Sequence, residues 1–202
     1  MHHLPSLNLV STSDSVYLMT GLEYLANLKI NIASALKQGS YYFRQTNKNN
    51  PKNLEAAIQN LIRAYNLMKN SSTPNPAALV EILLEIVQVR TEMSYRRRLT
   101  PQEKSTYVNE AKEFGERARE YAICSSVIGH LALVNLHRAI LLGREAEVDE
   151  KLGTAAVEVG RKKENALRDI STSLGALLES GQQDTDRYWK WADEWRVRLT
   201  MI

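Results

Sequence analysis

VIGHLALVNLHRAILL, residues 127–142, decides the fold. Ile128, Leu131, Leu133, Val134, Leu136, Ile140, Leu141 and Leu142 leave this stretch almost no polar side, so a helix formed here must be covered by neighbours on both sides. Its flanks are different in kind. Upstream, apolar or small residues recur at three- and four-residue steps through Val108, Ala111, Phe114, Gly115, Ala118 and Ala122, which is one face of an α-helix. Downstream, the same spacing returns at Val148, Leu152, Ala155, Ala156 and Val159. A nearly all-apolar helix between amphipathic ones predicts an all-α protein of stacked antiparallel helical hairpins. No run of alternating β-branched residues is long enough to be a strand.

Outward from this core, the sequence predicts about eight helices. The first follows Ser13-Asp14, either of which can accept a hydrogen bond from a first-turn amide, and it ends near Gly39. The polar run Gln45–Asn53 is a loop. The second helix, Pro51 to Asn70, carries a stripe at Leu54, Ala57, Ile58, Leu61, Ala64, Tyr65 and Met68, and NSSTPNP at 70–76 forbids its continuation. The third runs from Pro76 to about Tyr95 with apolar surface all round. Thr100, Pro101 and Glu103 supply cap, proline and carboxylate for a fourth, reaching about Ala122. The fifth covers Ser125–Leu142 with Gly143 as its stop, the sixth Glu145–Lys162, the seventh Asn165–Ser180 closed by Gly181, and the eighth Asp184–Leu199. The periodicity stays in phase across 122–126 and 160–165. Breaks are expected at both joints, because helices of about 40 residues are rare in compact domains.

At 202 residues the chain can bury one large core, and 44% hydrophobic with 24% charged residues is ordinary soluble-protein composition. A net charge of +3 is too small to point to nucleic acid or a membrane surface. Residues 1–12 read as a flexible arm without the basic start and apolar run of a signal peptide, and 13–202 as one helical domain. No segment approaches the roughly 20 apolar residues of a membrane span. The single cysteine, Cys124, cannot make an internal disulfide, which suits an intracellular compartment, cytoplasmic or nuclear.

Taken as pairs, the helices give inner members ending near Gly39, Tyr95, Gly143 and Gly181, each followed by a shorter partner. Ala57, Leu61 and Ala64 carry a small-large-small spacing, which Ala111, Gly115 and Ala118 echo, and Leu174-Gly175 forms a further pair. This pattern resembles the tetratricopeptide-repeat proteins, with degenerate repeats. The resemblance implies an α-solenoid whose inner helices line a groove for a peptide or extended protein segment.

On that plan, His130 and His137, seven residues apart on one face, would line the groove with Leu133 and Ile140. They are candidates for partner recognition or pH-sensitive binding, and the alternative is a packing role. The spacing from Cys124 to His130 gives no convergent zinc site, so no metal or cofactor is expected. Arg90 with Arg96, Arg97 and Arg98 could hold an acidic peptide or phosphate, or simply form a solvated helix end. Arg161, Lys162 and Lys163 invite the same two readings. Tyr188, Trp191, Trp195 and Leu199 form one stripe that would seal the last hairpin, while Trp189 points elsewhere as a candidate interface anchor. There is no glycine-rich phosphate loop, nucleophile elbow or His-Glu-x-x-His. The expected function is therefore a non-enzymatic protein-interaction scaffold with His130, Leu133, His137, Ile140, Arg90 and Trp189 as contacts. Two alternatives are a regulatory domain that binds a small molecule or nucleic acid through the arginine-rich turn, and an obligate homo-oligomer joined around Trp189.

Overall fold

A computed structural model of the chain describes residues 51–181 and 185–201, together with Asn31, Ile32, Ala35 and Gly39. Six helices are defined: α1 (Pro51–Lys69), α2 (Pro76–Met93), α3 (Pro101–Cys124), α4 (His130–Leu152), α5 (Ala156–Glu179) and α6 (Thr185–Thr200). No strand occurs among the described residues. The expected N-terminal arm and most of the first expected helix lie outside them. Asn31, Ile32, Ala35 and Gly39 are helical, and a Cβ at Gly39 would stand 2.7 Å from Leu61 Cγ, so only glycine permits that approach to α1.

The helix starts follow local chemistry. Asn75 Oδ1 accepts from the amides of Ala77 and Ala78, with Pro76 taking a position that needs no donor. Thr100 and Glu103 form a reciprocal capping box: the Glu103 amide donates to Thr100 Oγ1 and the Thr100 amide to Glu103 Oε2. The expected break after Ala122 is present, with α3 ending at Cys124 and Gly129 (φ 95°) preceding α4.

Two expected breaks are absent. Helix α4 runs through Gly143 and stops at Gly153, whose left-handed φ of 81° closes it. Helix α5 is continuous across 160–165, so the sixth and seventh expected helices correspond to the end of α4 and the whole of α5. Lys162, inside the expected break, donates to Glu145 (2.9 Å) and Asp149 (2.5 Å) on α4, and Lys163 to Glu150 (3.2 Å). The unbroken helix carries both lysines onto the acidic residues of α4.

Each helix packs on its successor, and α2 also packs on α4 and α4 on α6. The even-numbered helices therefore form a row, while α1, α3 and α5 touch only their neighbours in sequence among the defined helices. Helix α4 has α2, α3, α5 and α6 around it, which is why its sequence has almost no polar side. Leu79, Ile82, Leu83 and Ile86 on α2 and Leu136, Ile140 and Leu141 on α4 are fully buried. At about 1.5–3 kcal/mol for each such side chain, against about 0–1 kcal/mol for an exposed ion pair, this row carries the stability.

Candidate functional site

His130, Leu133, His137 and Ile140 do share a face of α4, but all four are buried, the two histidines to 2% exposure. The same face continues into Arg144 and Glu147, and α6 covers its second half. The Trp191 ring lies 4.8 Å from His137 and the Tyr188 ring edge-on at 6.5 Å. Leu199 fills the space left by Gly143, where a Cβ would stand 3.0 and 3.1 Å from its two methyls. Trp195 packs beside Tyr95, just beyond the end of α2, at 6.3 Å. The groove expected along this face is thus filled by the last helix of the chain itself. Tyr188, Trp195 and Leu199 are buried as expected of the sealing stripe, with Trp191 packed against the core.

Two hydrogen bonds orient the His137 ring. Its Nδ1 lies 2.8 Å from the Leu133 carbonyl, which can only accept, so Nδ1 carries the proton. Nε2 lies 3.1 Å from the Gln88 side-chain nitrogen on α2 and accepts from it. His130 sits at the other end of the face, with Nδ1 2.9 Å from Ser125 Oγ and Nε2 4.0 Å from Glu81. Burial lowers its pKa, outweighing the upward pull of Glu81.

A charged cluster lies where α6 ends. The Glu147 carboxylate accepts from Arg144 Nη1 at 2.6 Å and also from Arg198 Nε. Arg144 further donates through Nε to Ser94 Oγ (2.8 Å) and through Nη2 to the Ser94 carbonyl (2.6 Å). Both guanidinium groups lie against the Tyr95 ring, at 3.8 Å for Arg144 and 4.4 Å for Arg198. Arg144 and Glu147 are buried and balance each other, whereas the Arg198 side chain is 45% exposed and carries the excess charge toward water. Tyr95 Oη is enclosed without a hydrogen-bond partner. Burial, followed by the charge of Glu147, holds its phenol well above the usual range despite the two arginines.

The arginine-rich turn does not present one face. Arg90 pairs with Glu110 of α3 at 3.1 Å and lies over the Tyr107 ring, and Arg96 pairs with Glu55 of α1 at 3.1 Å, while Arg97 and Arg98 are exposed. Trp189 is partly buried against the core. Sequence reasoning missed Tyr95, Arg144, Glu147 and Arg198. The available signal was phase, since residues 144 and 147 continue the spacing of 137 and 140. At the α3–α4 turn, Ile123, Val127, Ile128 and Leu131 are exposed beside Cys124. Among the described residues, no group of three His, Cys, Asp or Glu could hold a metal, and no helix is long and apolar enough to cross a membrane.

No protein-family model, curated protein or solved structure matches the chain.

Proposed function

We propose that the protein is a non-enzymatic interaction module of stacked helical hairpins, tetratricopeptide-like in plan, that binds a helical segment of a partner protein along its α2–α4–α6 row. The observation that carries this reading is the face of α4 that accepts α6. Recognition of a helix in a groove uses anchors three and four residues apart, and Tyr188, Trp191, Trp195 and Leu199 have that spacing. Tryptophan, tyrosine and arginine are also the residues that dominate binding energy at interfaces. The packing of alternate helices α2, α4 and α6 supports a stacked arrangement.

Site-specific photo-crosslinking in extracts of the native source tests the reading. A photoreactive residue at the exposed positions Glu81 of α2 or Asn135 of α4 should trap a discrete partner, whereas one at Glu113 of α3 or Arg168 of α5 should not. Trapping that is equal at all four positions, or absent at all four, would overturn it.

A further inference from the structure

The face of α4 that suits a partner helix is occupied, and its occupant is a single short helix. Resting on the function proposed above, we infer that α6 is an internal competitor: it holds in cis a site for an amphipathic helix of another protein. That helix would carry aromatic side chains at its first, fourth and eighth contact positions, arginine at the eleventh and leucine at the twelfth. These are the positions of Tyr188, Trp191, Trp195, Arg198 and Leu199 in α6.

The site is built so that α6 can leave without orphaning what it covers. Arg198 is one of two cations on Glu147, and Arg144 keeps that carboxylate paired when Arg198 is withdrawn. Arg144 in turn keeps its two bonds to Ser94. The ring nitrogens of His137 bond Leu133 and Gln88, which belong to α4 and α2. Removing α6 therefore leaves the buried Arg144–Glu147 pair intact, unlike the usual breaking of a buried ion pair. Tyr95 Oη works in the same direction: it is enclosed without a partner beneath the docked helix, and opening returns it to water.

The same contacts specify the occupant. Gly143 leaves a slot that a branched aliphatic tip fills, and Leu199 fills it now. The His137 ring offers a stacking surface to an aromatic residue two turns earlier. Glu147, with one oxygen turned to Arg198, selects a guanidinium. An acidic or purely aliphatic helix would satisfy neither Glu147 nor the face of Tyr95.

The test uses the full chain and a fluorescent peptide of residues 185–202. In the Trp195→Ala, Leu199→Ala variant the cis helix loses two anchors while every residue of the site on α4 is retained. We expect this variant to bind the peptide at least tenfold more tightly than the wild type does, and a peptide carrying the same two substitutions not to bind. A folded variant that binds no more tightly than the wild type overturns the proposal. If the variant does not fold, hydrogen exchange on the wild type decides. Amides of 188–199 should exchange at least tenfold faster than those of 133–147, through an opening that leaves α4 protected, and equal protection rejects a releasable α6. A partner crosslinked to α2 or α4 while α6 stays fully protected would retain the interaction module and reject the internal competitor.

Discussion

Glu147 holds two guanidinium groups with one carboxylate, so its loss and the loss of one arginine are unequal events. Glu147→Gln leaves Arg144, 2% exposed, without its counter-charge, and breaking a buried pair of this kind costs about 3–5 kcal/mol. Arg198→Ala leaves the Arg144–Glu147 pair intact and removes a side chain nearly half exposed, for which about 1 kcal/mol is expected. Urea unfolding midpoints of the two variants measure the difference, and equal losses would mean that the two arginines are not unequal partners. Tyr95 makes the opposite prediction. Two guanidinium groups lie against its ring and its hydroxyl is enclosed without a partner, so Tyr95→Phe keeps the packing and deletes the unsatisfied group. The variant should be more stable by about 1 kcal/mol, read as a rise in thermal midpoint. A fall would show that the hydroxyl is bonded after all.

At the scale of the helices, features written in adjacent residues were legible and features that depend on distant ones were not. The Thr100–Glu103 box, the Asn75-Pro76 start and the Gly181 end are short-range chemistry. A glycine ends a helix only when it takes a left-handed φ, as Gly153 and Gly181 do. Gly143 instead serves the approach of Leu199, a residue far along the chain, so its local sequence suggests a stop that the fold does not use. The burial of the 130–140 face was legible in the same way, whereas its cover by α6 was not, because no local pattern records which helix will lie upon it. The glycines therefore separate experimentally. A Cβ at Gly160 or Gly175 meets nothing within 4 Å, so Gly160→Ala and Gly175→Ala should each stabilise the protein by about 0.5–1 kcal/mol through helix propensity. Gly143→Ala must displace Leu199, and it should speed amide exchange in α6 relative to α4 even where its global stability is unchanged.

Over the whole molecule, titratable groups in separate regions should divide the pH dependence of stability between them. His130, beside the α3–α4 turn, is depressed below 6.5 by burial against the pull of Glu81. The unfolded chain then binds more protons, so stability falls as the pH drops from 6.5 toward the depressed value. Burial raises Glu145, but Lys112 of α3 and Lys162 of α5 outweigh it and hold the carboxyl below 4.5, so its contribution is present above that pH and lost in stronger acid. Lys162 is likewise lowered by burial, yet Asp149 and Glu145 bring it above 10.5, and its contribution disappears as the pH rises through the raised value. Tyr95, raised from 10.0 chiefly by burial, stays neutral in the fold while the unfolded phenol ionises, which adds a second alkaline loss located under α6. Thermal midpoints should consequently be flat between about pH 7 and 10 and decline on both sides. His130→Asn should soften the decline that begins near pH 6.5 and leave the one below 4.5, to which the α3–α4–α5 ion pairs contribute. Tyr95→Phe should soften the alkaline decline alone. If it softens the acid side instead, the cluster beneath α6 is linked to the histidine end of α4, and the two halves of that face do not titrate independently.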